Sequence, residues 1–414
     1  MTFKKWWLVL GCVLFSCFVL SGCGINMRLL KQWQPPFRDA RITPVDINGD
    51  RISDIVMSGY IKANKKDIAG RAVPDSVVAI DGKSNELLWG YTTQAAVTAY
   101  PCIYKDKVFV GSEDRHVYAL ELKTGNVLWK FKTGGEIQGS ASAYNNTVYV
   151  GSRDHYVYAL NAKTGKLKWK FKTPQAVDTT PGVYQGRVYV ASWDRYVYAL
   201  DAKTGKKIWQ FEAESYFSKN NPVLDRGTLY IGNWDKYLYA LDAKTGELKW
   251  KFKTRGYIHG ASPVVHEDTV YMGSEDKYLY ALSRTQGKLK WAFETGDALY
   301  GSPALSDLGA YFTSRDGYLY AVDFAGTLRW KVKVRGPVKS SPALSHREIW
   351  VGSPQVGMVK IYDPFNRIFW PMYGGDPSHR NTTSGAKKAG GQLNQLWSSW
   401  TPQRYLQRLK AAFS

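Results

Sequence analysis

Cysteine is scarce in this chain of 414 residues: four in all, three of them before residue 24. The remainder keeps only Cys102, so it can form no internal disulfide, and no two cysteines are adjacent anywhere. Its stability must come from an apolar core, which a chain of this length can bury. Histidine is also sparse. His116, His155, His259, His266, His346 and His379 show no metal-ligand spacing, and none pairs recognisably with a serine or cysteine nucleophile. The longest apolar run, Trp6 to Leu20, is short for a membrane span. Acidic residues number 35 against 56 lysines and arginines, a formal charge of +21. Such a balance suits acidic lipid headgroups, anionic polysaccharide or an acidic protein; equally, lysines can simply solubilise exposed strands and turns. No helical period runs through the centre of the chain.

A repeat does. Val117-Tyr118-Ala119-Leu120-Glu121-Leu122-Lys123-Thr124-Gly125 leads to Trp129, and near copies lead to Trp169, Trp209, Trp250, Trp291 and Trp330. Degenerate copies end at Trp89 and Trp370, and the steps from Trp89 onward are 39 to 41 residues, the length of a propeller blade. Trp33 falls in phase once residues 60 to 74 are taken as an inserted polar loop. One unit reads as four strands, at 140–143, 147–150, 156–160 and 167–171, bounded by Asn, Asp and Gly turns. The repeated tryptophans are expected to pack between neighbouring sheets. Asp114, Asp154, Asp194, Asp235, Asp276 and Asp316 are expected to bond their own turns, and Gly125, Gly165, Gly205 and Gly246 to supply a positive φ. The fold class is therefore all-β, an eight-bladed β-propeller of four-stranded antiparallel blades.

The pattern Ala199-Leu200-Asp201-Ala202-Lys203-Thr204-Gly205 up to Trp209 resembles the pyrroloquinoline-quinone (PQQ) repeat, over roughly residues 75 to 370. That family includes quinoprotein dehydrogenases and non-enzymatic propellers of the outer-membrane β-barrel assembly machinery. Many of the dehydrogenases carry adjacent cysteines over the cofactor, a pair this chain lacks, so the resemblance favours a scaffold without PQQ over an enzyme. A glycan-binding propeller fits the charge and the aromatics but has no diagnostic motif. Residues 1–22, with Lys4 and Lys5 before the apolar run, have the layout of a signal peptide. Leu20-Ser21-Gly22-Cys23 resembles the lipobox of bacterial lipoproteins, which implies a lipid on Cys23, and Gly24 after it implies the outer membrane, facing the periplasm. Export argues against a nucleic-acid partner. Residues 23–40 then form a tether that can also close the ring, 41–384 the propeller, and 385–414 a linker and a short basic amphipathic helix from Thr401. Trp33 and Trp370 can both be read as outer strands, and the sequence leaves open which completes the last blade.

Two places can carry binding. Asp46, Asn48, Asp50 and Asp54 put oxygen side chains at positions 1, 3, 5 and 9 of a tight loop, with the Ile52 carbonyl a fifth ligand, as in a Ca²⁺ loop; Arg51 replaces the usual glycine, and a plain hairpin is the alternative. On the face shared by interblade segments and second-to-third-strand turns, Trp193, Trp234, Tyr216, Phe217, Tyr257, His259 and Tyr300 gather beside Arg195, Lys236 and Arg255. Exposed aromatics beside cations make a docking surface for an envelope protein; local packing of the rings under their own loops is the alternative. Cys102 is expected to be a small buried hydrophobe, and no residue is assigned a catalytic role.

Overall fold

Four short apolar-rich segments separated by turn residues cannot bury both faces alone, and in this chain successive units cover one another around an axis. The computed structural model of the chain describes residues 29–33, 37–50, 53–61, 77–345, 347–353 and 357–363. They form eight four-stranded antiparallel sheets, the blades of a propeller, as the repeat predicts. We label the strands of each blade a to d from the axis outward. In blade 3 they are Ser142–Tyr144, Thr147–Gly151, Tyr156–Asn161 and Leu167–Lys172. Strands b and c are buried on both faces, so they read as near-continuous apolar runs. Strand d is the free edge. There Trp169 points inward while Leu167, Lys168, Lys170 and Lys172 face solvent, and such lysines protect an edge against pairing with another chain.

Blade 1 spans 37–91, blades 2 to 7 span 102–132, 142–172, 182–212, 223–253, 264–294 and 304–333, and blade 8 takes strands a to c from 343–362. Its strand d is Leu29–Trp33, which pairs antiparallel with Gly357–Tyr362. The ring is thus closed from the N-terminal side. Trp370, the rival for that place, lies outside the described residues, as do Cys23, Arg51, Ile52 and the whole segment from 385 onward.

In blades 1 to 6 the strand-d tryptophan locks onto the next blade. Trp169 Nε1 donates to the Ala202 carbonyl at 3.0 Å, and the indole lies flat against Gly205. That glycine has φ +72°, and a Cβ on it would come within 2.6 Å of the ring. It is therefore needed twice over, for its backbone and for the ring's approach. The same pairing recurs from Trp89, Trp129, Trp209, Trp250 and Trp291 to Gly125, Gly165, Gly246, Gly287 and Gly326. The turn aspartates also do more than cap their own turns. Asp154 Oδ1 accepts from Tyr156 N, and its Oδ2 accepts from Tyr158 Oη at 2.6 Å and from Gly134 N at 2.6 Å, which ties the b–c turn to the segment entering the blade.

A belt of hydrogen bonds circles the axis. The backbone N–H of Tyr100 donates to Ser140 Oγ (2.9 Å), Ser140 to Thr180 Oγ1 (3.1 Å), Thr180 to Asn221 Oδ1 (2.8 Å) and Asn221 to Ser262 Oγ (3.3 Å). Ser262 continues to Ser302 Oγ (2.8 Å), Ser302 to Ser341 Oγ (2.9 Å), and Ser341 N–H closes the circle on Tyr100 Oη at 3.2 Å. The small and hydroxyl-bearing residues of the inner segments are thus bonded blade to blade. Blade 1 stands outside this circle and holds blade 2 through Thr43 Oγ1, which donates to the Pro101 carbonyl at 2.9 Å.

Candidate functional site

Interblade segments and b–c turns are bonded together, as Trp193 N to Ala176 O (3.0 Å) and Glu275 N to Tyr257 O (3.0 Å) show, so they form one face. On it the aromatic residues expected to cluster do so. Trp193, in the b–c turn of blade 4, stacks on Tyr216 with ring centroids 5.5 Å apart; Tyr216 meets Trp234 of the blade 5 turn at 4.9 Å. Trp234 touches Tyr257 at 5.4 Å and His259 at 4.7 Å, and His259 touches Tyr300 at 5.8 Å. This ladder crosses the entry segments of blades 5, 6 and 7. Tyr257 is 43% exposed and the other rings are half-buried.

Cations sit over the ladder at contact distance for cation–π attraction. Arg153 lies 5.5 Å from the Trp193 ring, Lys236 5.4 Å from Tyr257, and Arg315 and Lys339 5.7 and 5.6 Å from Tyr300. Arg195 is exposed and bonds Glu212 at 2.8 Å, and a groove of about 520 Å³ beside it is lined by Trp193, Glu214 and Tyr216. The indole N–H groups of Trp193 and Trp234 are shielded from solvent and have no hydrogen-bond partner among the described residues. His259 is 3.4 Å from Glu275, yet burial, followed by the charges of Lys219 and Lys339, pushes its pKa down to about 4, so it is neutral at pH 7.

Phe217 corrects the expectation drawn for it. Its side chain is fully buried in the core between blades 4 and 5, with Tyr189, Leu224 and Ile231, because the apolar space between those blades takes it in. Cys102 packs half-buried at the start of strand a of blade 2, and burial pushes its thiol up to about 12. The Asp46–Asp54 loop is the a–b hairpin of blade 1, on the opposite face. Asp54 is buried, with Oδ2 accepting from the backbone N–H of Ile47 (2.8 Å) and Asn48 (3.4 Å) and Oδ1 from Gly82 (3.0 Å); Asp46 accepts from Gly49 N at 2.7 Å and Asn48 Oδ1 from Asp50 N at 3.0 Å. Those oxygens serve the turn, and among the described residues no three His, Cys, Asp or Glu side chains converge as a metal site.

The reading of the sequence missed the basic groups at the axis, Arg41, Lys219 and Lys339. For Lys219 the available signal was a length difference. From the buried apolar residue of the interblade segment to its proline there are four steps in Val97–Pro101, Val177–Pro181, Leu299–Pro303 and Val338–Pro342, but five in Phe217–Pro222 and Ile258–Pro263.

A ring of eight blades, six of whose junctions are tryptophan–glycine locks, with an aromatic face and no recognisable catalytic set among its described residues, is a repeat propeller of the PQQ type. Residues 41–144, 131–221 and 194–308 match the family model described as outer membrane protein assembly factor BamB, and the chain belongs to that family. Among solved structures it is similar to BamB from Moraxella catarrhalis (TM-score 0.61, 16% identity, 80% of this chain and 96% of that one). It is also similar to the computationally designed Ika8 protein (TM-score 0.64, 17% identity, 80% and 98%). Compared with curated protein sequences, the chain finds no match.

Proposed function

We propose that this protein is a non-catalytic scaffold of the bacterial envelope, anchored through a lipid on Cys23 to the periplasmic side of the outer membrane, which docks a protein partner in outer-membrane protein assembly. The observation that carries the reading is the continuous ladder from Trp193 to Tyr300, with four cations above its rings and two indole donors left unpaired. Protein interfaces concentrate aromatic and arginine anchors of this kind, and a shielded unpaired donor is costly unless a partner satisfies it. Membership of the assembly-factor family supports the process, and the lipobox supports the location. The non-catalytic part rests on groups already committed elsewhere: turn aspartates bonded to tyrosines and amides, and a thiol whose pKa leaves it unreactive at neutral pH.

The test places a photo-crosslinking residue at Tyr257 or, on the opposite face, at the exposed Lys203 in intact envelopes. A component of the outer-membrane assembly machinery is expected to crosslink from 257 and not from 203. Tyr257→Ala with Arg195→Glu should reduce recovery of that complex about tenfold, the effect of losing interface anchors, without moving Tm. Equal crosslinking from both faces, or undiminished recovery, overturns the proposal.

A further inference from the structure

The interblade segments reach the axis on the same face and enclose a cavity of about 450 Å³ at the mouth of the central channel. Three of its lining residues are cations from separate blades: Arg41 on strand a of blade 1, Lys219 in the segment entering blade 5, and Lys339 in the segment entering blade 8. None of the three has an ion-pair partner among the described residues. The one lining acid, Asp178, is fully buried; its Oδ1 faces Arg153 Nε at 3.4 Å, and its Oδ2 has no hydrogen-bond partner. Lys219 reaches solvent at the mouth, yet surrounding protein first, and then the charge of Arg41, hold its ammonium below the usual range.

Lys219 stands where blade 5 carries its extra residue, and its backbone is left-handed, φ +58°. Blade 6 places Gly260 at the corresponding point, with φ +75°. The insertion therefore costs blade 5 a strained backbone and delivers an ammonium to the axis, where it meets other cations. Asp178 and Glu113 offset part of this charge, and the like charges that converge on the cavity still oppose folding and raise the local affinity for anions. Neutral His259 and Asn221 add hydrogen-bonding groups to the same lining.

We propose that the mouth of the central channel is a binding site for a compact anion carrying at least two negative charges, held by Arg41, Lys219 and Lys339. A free polycarboxylate or phosphate and an acidic stretch of peptide share that chemistry, and the ring of lysines on the outer strands does not. The site adjoins the docking ladder, sharing His259, Tyr300 and Lys339 with it, but it is assayed on purified protein alone, so its failure is distinct from failure of the docking reading.

Calorimetric titration with citrate, inorganic phosphate and a pentaglutamate peptide at physiological ionic strength tests it. At least one probe should bind at or below about 1 mM, and Lys219→Gln with Lys339→Gln should weaken that binding about tenfold or more. The double variant should keep or slightly raise the ligand-free Tm, since it relieves repulsion. Lys170→Gln with Lys251→Gln, on outer strands, removes the same charge and should leave binding unchanged. Preference for the peptide identifies a partner segment, and preference for citrate or phosphate a free ligand. Absence of binding by all three probes, or equal loss in the outer-strand variant, overturns the site.

Discussion

At the scale of single residues, the locks between blades make a sharp claim about glycine. Gly205 and Gly186 share a left-handed backbone, φ +72° and +74°, but a Cβ on Gly205 meets the Trp169 ring at 2.6 Å whereas one on Gly186 meets nothing within 4 Å. Gly186→Ala should therefore cost only its backbone strain, about 1 kcal/mol, while Gly205→Ala adds displacement of the indole and should cost about 2–4 kcal/mol in denaturant unfolding. Similar losses from the two would mean that the ring does not depend on the glycine. The sequence showed half of this: a glycine after threonine predicts positive φ, but the tryptophan against it lies 36 residues earlier, in another blade. Phe217 was misread for a related reason. It sits between Tyr216 and Ser218 in a segment with no strand period to tell which side chain turns inward, and only the apolar cavity between two blades decides it.

Among the elements, the a–b hairpin of blade 1 combines the oxygen spacing of a Ca²⁺ loop with hydrogen bonds that hold a turn. Its spacing of oxygen side chains was legible, and so was the alternative; what the sequence could not show is Gly82, which reaches Asp54 from the c–d turn. Three backbone N–H groups bond Asp54, so its carboxylate holds the turn without any ion. Millimolar Ca²⁺ is expected to leave Tm unchanged, and Asp54→Ala to lower stability by about 2–4 kcal/mol, the cost of orphaning buried donors. A clear rise in Tm with Ca²⁺ that Asp46→Ala abolishes would show instead that the hairpin opens to take the ion. Strand composition was the most legible layer: buried b and c strands and lysine-bearing d strands follow directly from which sheet faces are covered. The axis was the least legible, because Lys219 reaches the channel mouth through a one-residue change in segment length and meets Arg41 and Lys339 from distant parts of the chain.

For the whole molecule, the eighth blade is the test of how the ring holds. Strand c of that blade has Val359 and Ile361 buried, and its outer neighbour is Leu29–Trp33. Lys360 adds a second brace, with its ammonium 2.7 Å from Glu348 and 3.0 Å from the carbonyl of Gly82 in blade 1. Deleting residues 29–33 should uncover an unpaired apolar edge, lowering Tm and producing oligomers visible by light scattering. A monomer of unchanged Tm would mean that another segment serves as the outer strand. The same pairing orders events in time. Leu29–Trp33 leaves the ribosome before any blade exists and finds its partner only after residue 362 has followed, so the earliest strand made is the last one seated. The N-terminal end of the propeller thus stays uncommitted until the full circle has arrived, and a chain cut short is left without its clasp.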